Sequence, residues 1–227
     1  MNSAKPIALL LIYLLFLITP IPANNNTADD RIYKQAQELL AVMTLDEKVS
    51  LLSGRGSYDT QNIDRLNLPS LQLWDGPNGV RSNNNEPATA FPVGICMGST
   101  WNPELIEKLG IALGKECRAF GVEVLLGPTM NIIRTPLNGR NFETFSEDPF
   151  INGVIGAAYV KGLQSQRVGA SVKHFIANNQ ETNRQSVSAE ISERALREIY
   201  LPAYKYIINK AQPFTFMAAY NQINGIH

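Results

Sequence analysis

The stretch Val168-Gly169-Ala170-Ser171-Val172-Lys173-His174-Phe175 reads as a strand that is apolar over most of its length and ends in a lysine and a histidine. A buried strand closing on two such groups is unusual, because burying them is costly unless they find partners. What flanks it decides the fold. Upstream, Asp148-Pro149 opens a helix to about Leu163, with a capping side chain and a proline at the first helical position. Downstream, Ser192 caps a helix running to about Lys210, and Phe214 to Tyr220 returns to strand. The same alternation precedes it. Leu71 to Trp74 is a short strand ending in Asp75-Gly76-Pro77. Asn102-Pro103 starts a helix with the apolar stripe Leu105, Leu109, Ala112, Leu113 and Phe120, which Gly121 ends. Val122 to Leu126 is a strand broken by Gly127-Pro128. Strand followed by helix, repeated, is the pattern of a parallel α/β fold. Its polar residues cluster just after the C-terminal ends of strands, where β/α barrels and open α/β sheets bind ligands.

A complete barrel has eight strands and roughly 250 residues. About four strands are legible here, so the expected fold is α/β, a (β/α)8 TIM-barrel-like domain incomplete in this chain, about its first half. Two helices precede the strands. Ile32, Ala36, Leu39, Leu40 and Met43 fall at helical spacing over Asp30 to Met43. Thr44-Leu45-Asp46-Glu47 then has the pattern of a capping box, with Gly54 as the stop of a second short helix. The expected organisation is a lead-in helix within residues 24–43 and a barrel-like domain over residues 44–227.

Residues 1–23 read separately. Lys5 precedes an apolar run from Ile7 to Leu17, which Thr19-Pro20-Ile21-Pro22-Ala23 breaks before Asn24. A positive start, a short apolar core and a small residue at the end describe a secretory signal peptide. Ala23 is the expected cut site, although Ile21 two positions earlier matches poorly. The competing reading is a membrane anchor, for which the run falls short of the roughly 20 residues a spanning helix needs. The protein is therefore expected to be secreted or periplasmic, with no stable membrane insertion after cleavage.

The 227 residues are 44% hydrophobic and 18% charged, an ordinary globular composition. Lys and Arg together number 20, as do Asp and Glu, so nothing points to a nucleic-acid partner, which usually announces itself as a basic patch. Cys96 and Cys117 could pair in an oxidising compartment. Cys117 falls inside a predicted helix, which favours a buried free thiol. Asn25-Asn26-Thr27 is a glycosylation sequon.

Several chemistries are excluded by their missing patterns. No glycine-rich phosphate loop follows a strand, the two histidines give no metal site of recognised type, and no serine sits in a nucleophile elbow. No metal site is expected. What remains suits a polyhydroxylated ligand. Asp75 can accept hydrogen bonds from two neighbouring hydroxyls, or it can merely stabilise its turn. Arg140 offers a rigid donor fork, or forms a structural pair with Glu143 that braces a long loop. Glu147 and Asp148 head a helix, where acids favour the dipole. Lys173 and His174 at their strand end suggest ligand contact, the alternative being a structural histidine. Arg184 follows the polar run Asn178-Asn179-Gln180-Glu181-Thr182-Asn183, whose alternative reading is a solvated loop. Met217 and Tyr220 end the last strand and could equally be core. Glycoside chemistry ordinarily needs two carboxylates flanking the scissile bond.

Four runs, in this order, carry a resemblance: Asp75-Gly76-Pro77-Asn78-Gly79-Val80-Arg81; Gly139-Arg140-Asn141-Phe142-Glu143 with Ser146-Glu147-Asp148-Pro149; Lys173-His174-Phe175; and Tyr220-Asn221-Gln222-Ile223-Asn224-Gly225. Together they resemble glycoside hydrolase family 3, in its β-glucosidase and β-xylosidase branch, from about Thr44 to His227. The resemblance implies a barrel-like first domain, usually followed by an α/β sandwich domain, and a cofactor-free retaining hydrolase of terminal non-reducing β-linked sugars. Its substrate would be a β-linked oligosaccharide or an aryl or alkyl β-glycoside. Matched motif to motif, Asp75, Arg140, Lys173, His174 and Arg184 would hold the sugar's hydroxyls, with Met217 and Tyr220 lining the same subsite. The family's nucleophile is an Asp in a Ser-Asp-aromatic motif some tens of residues after the Tyr-Asn-x-x-Asn-Gly run, and its acid/base usually lies on the later domain. Both are expected beyond residue 227, so the chain is expected to be a fragment, inactive alone and in need of the missing C-terminal part. The alternatives are a sugar-binding remnant or pseudoenzyme, a β-xylosidase, and a split enzyme completed by a second polypeptide. Lys173-His174-Phe175-Ile176-Ala177-Asn178-Asn179 departs from the Lys-His-Phe-Pro-Gly-His-Gly of the family's N-acetylglucosaminidases and disfavours that branch.

Overall fold

The computed structural model describes residues 27–81 and 86–227. The signal-peptide reading, and Asn25 and Asn26 of the sequon, lie outside them. The chain forms two compact units, a smaller one ending at Leu73 and a larger one over Trp74–His227.

The smaller unit begins with helices α1 (Thr27–Val42) and α2 (Leu45–Ser50). The capping box forms. Thr44 Oγ1 accepts from the Glu47 amide at 3.2 Å, and the Glu47 carboxylate accepts from the Thr44 amide at 2.8 Å. Two otherwise orphaned donors are satisfied by one exchange. Helix α2 stops at Ser50, before the expected Gly54, which instead opens β1 (Gly54–Arg55), paired antiparallel with β2 (Asp59–Thr60). Met43, Ile63, Leu68 and Leu71 form the buried centre, with Leu39 and Leu40 packed against it.

The larger unit is built on a four-stranded sheet in the order β3 (Leu73–Asp75), β4 (Val124–Leu126), β5 (Gly169–Phe175), β7 (Thr215–Ala218). β4, β5 and β7 run parallel, with Val124 beside Gly169, Ser171 beside Thr215 and Lys173 beside Met217. Between them lie α3 (Gly94–Ser99), α4 (Pro103–Ala119), α5 (Pro149–Ser165) and a helical stretch from Glu193 to Ala211. A short parallel pair, β6 (Ser188–Ala189) with β8 (Gln222–Ile223), completes the unit. The alternation of strand and helix is as the sequence implies, and its parallel sheet with helices is the α/β class expected.

Helix α5 explains where the core sits. It is buried nearly all round and packs against α4 and the Leu201–Ala211 helix, as a helix without a polar face must. Small residues set that approach. A Cβ on Gly162 would lie 2.1 Å from the Glu107 carbonyl oxygen on α4, so only glycine fits. Two features depart from the sequence reading. Helix α3 was not foreseen, because two glycines in six residues argue against a helix. Yet Gly94 and Gly98 are what lets its backbone press on the Glu143 and Phe145 carbonyls. The helix expected as one piece after Ser192 runs as α6 (Glu193–Ala195), a π-helical turn (Leu196–Tyr200) and α7 (Leu201–Ala211). Pro202 has no N–H to give the turn before it, which favours a local change of helical pitch.

Candidate functional site

The candidate residues all belong to the larger unit: Asp75, Lys173, His174, Met217 and Tyr220 lie at or just past the carboxyl ends of its strands, and Arg140 and Arg184 lie on loops beyond them. Asp75 ends β3, and the turn after it requires glycine. Gly76 has φ 138°, and a Cβ there would sit 1.9 Å from the Gly79 carbonyl oxygen. The Gly79 amide donates to the Gly76 carbonyl at 3.2 Å and the Arg81 amide to the Asp75 carbonyl at 3.0 Å. The backbone behind Asp75 is thereby fixed.

Lys173 lies on β5 with only 3% of its side chain exposed, and its Nζ donates to Asp75 Oδ1 at 2.7 Å. Its backbone is held from β4's side as well. The Lys173 amide donates to the Pro128 carbonyl at 3.0 Å and its carbonyl accepts from the Met130 amide at 2.6 Å. Burial alone would raise the Asp75 carboxyl, but the charge and hydrogen bond of Lys173, with smaller help from the Gly76 amide and Arg140, outweigh it and hold the group below the usual carboxylate range.

His174 follows through a cis peptide bond. Asn131 clamps it three ways. Asn131 Oδ1 accepts from the His174 amide at 3.1 Å, Asn131 Nδ2 donates to its carbonyl at 3.1 Å, and ring Nδ1 lies 3.0 Å from the same Oδ1. The Tyr204 hydroxyl adds a second donor to that carbonyl at 2.9 Å. With Oδ1 as acceptor, Nδ1 carries the proton and Nε2 is left as the ring's acceptor. Burial pulls the imidazole down to about 3, aided by the positive charges of Arg140, Lys173 and Arg184. His174 is therefore neutral at physiological pH, a hydrogen-bonding group and not a cation.

Arg140 and Arg184 arrive on separate loops. Arg140 precedes a 3-10 turn, Asn141–Glu143, and its Nε donates to the buried Glu143 carboxylate. Its Nη1 also lies 3.9 Å from Glu181 Oε1. Glu181 Oε2 accepts from Arg184 Nη1 at 2.7 Å, and Glu181 Oε1 accepts from Asn178 Nδ2 at 3.1 Å. The Arg184 guanidinium lies 5.7 Å from the centre of the Tyr220 ring, within cation–π range. Thr129, Asn131, Asn138, Arg140, Glu143, Thr144, His174 and Asn178 line a narrow gap beside these groups.

Asp75, Lys173, His174, Arg140, Arg184 and Tyr220 are thus joined by contacts or by their charges acting on one another, and Met217 lies beside Lys173 across the β5–β7 ladder. The Arg140–Glu143 pair foreseen as a brace exists, and it fixes the guanidinium. The run 178–183 is not simply a solvated loop: Asn178 is buried and Glu181 ties two arginines. Asn131 and Glu181 are the residues sequence reasoning missed. Asn131 finds its partner His174 on β5, 43 residues away, and Glu181 links its near neighbours Asn178 and Arg184 to Arg140 on a loop distant in sequence, so the role of neither shows locally. Each cation faces a carboxylate, Lys173 with Asp75, Arg140 with Glu143 and Arg184 with Glu181. Such a cluster presents oriented donors and acceptors with little net charge, which suits neutral hydroxyls better than an anion.

Known proteins agree with that chemistry. The model of the glycosyl hydrolase family 3 N terminal domain matches residues 33–226. Thermostable beta-glucosidase B of Acetivibrio thermocellus is 46% identical over 199 residues, which cover 83% of this chain and 26% of that protein. An exo-alpha-(1->6)-L-arabinopyranosidase of Bifidobacterium longum is 48% identical over 196 residues, 82% of this chain and 26% of that protein. Among solved structures, beta-glucosidase 3B from Thermotoga neapolitana in complex with glucose superposes with a TM-score of 0.81 at 47% identity, covering 84% of this chain and 30% of that one. The Kluyveromyces marxianus beta-glucosidase in complex with glucose gives 0.83 at 43% identity, covering 84% and 23%. The chain thus spans about a quarter of the length of the curated relatives it matches. The matched span and the shared architecture place it in one family: this chain belongs to glycosyl hydrolase family 3, within that family's N-terminal domain.

Proposed function

We propose that residues 74–227 supply the non-reducing-sugar subsite of a secreted retaining β-glycosidase, with a β-glucoside as the preferred substrate. The observation that carries the reading is the ion pair of the buried Lys173 ammonium with the half-buried Asp75, beside a neutral, clamped His174. Asp75 offers acceptor oxygens, Lys173 and Arg140 offer donors, and His174 Nε2 offers one more acceptor. Together these can engage adjacent hydroxyls on one face of a pyranose. Hydrogen bonds that tighten as the ring flattens toward an oxocarbenium ion would lower the barrier. Relatives named as β-glucosidases, two of them in complexes with glucose, support glucose as the sugar. The nucleophile and the acid/base would come from sequence outside these residues, in keeping with the quarter of its relatives' length that the chain spans. Residues 1–23 supply the export signal in this account.

A pentopyranoside is the second reading, favoured by the arabinopyranosidase among the relatives. The test is an aryl β-D-glucoside, β-D-xyloside and α-L-arabinopyranoside panel on the polypeptide expressed from its full reading frame, and on the 227-residue chain. The account expects glucoside turnover by the former and none by the latter. Turnover by the 227-residue chain would show that both carboxylates lie within it, and turnover of none of the panel by either would remove the glycosidase reading.

A further inference from the structure

Glu181 has no part in the subsite proposed above, yet its position connects that subsite's two arginines. Oε2 accepts from Arg184 Nη1 at 2.7 Å, and Oε1 accepts from Asn178 Nδ2 at 3.1 Å while lying 3.9 Å from Arg140 Nη1. Both oxygens are engaged, and the side chain is 27% exposed. The stem of Glu181 also closes on the other loop, since a Cβ added at Gly139 would come within 3.7 Å of Glu181 Cγ. The carboxylate therefore sits between the loop that carries Arg140 and the loop that carries Arg184.

We propose that Glu181 is a positioning residue of the sugar subsite: it holds the Arg140 and Arg184 guanidinium groups in register with each other, so that both present donors to one sugar ring. The inference rests on the sugar-binding reading of the site. Arg140 already has Glu143 as a carboxylate partner, so Glu181 is not needed to neutralise it. What Glu181 adds is a common reference point for two loops separated in sequence. Without it, the side-chain contact left to Arg184 among the described residues is the Tyr220 ring, and an arginine held by stacking has one less constraint on the direction of its fork. Misplacing a sugar-orienting group by about 1 Å can cost roughly a hundredfold in rate.

The variants are Glu181→Ala and Glu181→Gln, made in the polypeptide expressed from its full reading frame. The inhibition constant of free glucose and the KM for an aryl β-glucoside are read alongside the thermal unfolding midpoint. Glucose inhibition is independent of how much of the enzyme is active, so a merely loosened fold lowers kcat and the midpoint but leaves that constant where it was. The inference expects the glucose constant and KM to rise together by roughly 10- to 100-fold in Glu181→Ala. Glu181→Gln, which keeps an acceptor oxygen without the charge, should fall between Glu181→Ala and wild type. Unchanged glucose inhibition in Glu181→Ala, with wild type inhibited normally, overturns this inference alone. A wild type that neither hydrolyses the glycoside nor binds glucose removes the subsite reading and this inference with it.

Discussion

The Lys173–Asp75 pair is asymmetric, and its two single substitutions should differ. The Lys173 side chain is 3% exposed, whereas that of Asp75 is 31% exposed. Asp75→Asn leaves an ammonium in the interior with only a neutral amide beside it. Lys173→Met fills the same volume with an apolar chain and leaves a carboxylate that still reaches water. Breaking a fully buried pair costs about 3–5 kcal/mol, and leaving a partly hydrated group unpaired costs about 1–3 kcal/mol. Asp75→Asn should therefore cost about 3 kcal/mol or more and Lys173→Met about 1–2 kcal/mol, with the lower figures reflecting solvent screening at Asp75. In the double variant the stranded charge disappears, so the total should fall short of the sum by about 1–3 kcal/mol. Urea unfolding followed by circular dichroism on wild type, both single variants and the double variant gives all the terms. The pH dependence has a definite sign. The folded Asp75 carboxyl lies below its ordinary value of 3.8, so its contribution is complete above the unfolded value and is lost as pH falls through the folded one. The coupling should be equal at pH 7 and pH 5 and fade below about pH 4. Additive single variants, or an Asp75→Asn less damaging than Lys173→Met, would refute the argument that a buried ammonium depends on this carboxylate.

Further outcomes follow from other parts of the molecule. With its folded value pulled down to about 3, His174 stays neutral while an unfolded histidine protonates near 6.5, so its contribution is complete above about pH 6.5 and declines as pH falls toward 3; an NMR titration of the ring showing a midpoint near 6.5 would contradict this. Cys96 is exposed and Cys117 is buried, with burial pushing the Cys117 thiol up to about 12. A thiol reagent should thus label one cysteine in the folded protein and the second only after denaturation, and rapid labelling of Cys117 in the native state would refute that. Gly162→Ala should destabilise the protein by about 1–3 kcal/mol through overpacking against α4, whereas Gly121→Ala meets nothing within 4 Å and pays only for its positive φ; equal unfolding midpoints for wild type and Gly162→Ala would show that the two helices can part freely.

How much of this was legible in the sequence depends on whether the determining contact was local. The Thr44 capping box, the Asn102 and Asp148 caps and the strand ends at Asp75 and Phe175 are set by neighbours a few residues away, and all appear in the structure. Helix α3 was illegible, because glycine's local preference opposes it and only the close approach to the Glu143 and Phe145 carbonyls explains it. The same division runs through the site. Lys173 and His174 stand out by being costly at the end of an apolar strand. Asn131 and Glu181 do not, because what makes them matter is a partner 43 residues away for Asn131, and for Glu181 a second loop drawn alongside by the fold. The small size of the larger unit's strands also hid the β6–β8 pair, two residues in each, too short for any alternation to show.

The claim at the centre of this account is that Asp75, Arg140, Lys173, His174 and Arg184 together face one sugar ring. A crystal structure of the protein with glucose tests it most directly. The account predicts a pyranose bound with Asp75 and His174 accepting from its hydroxyls and with Lys173 and the two arginines donating to them, all within about 3.2 Å. Glucose bound elsewhere, or a ring that leaves Asp75 and Lys173 satisfied only by each other, would contradict it.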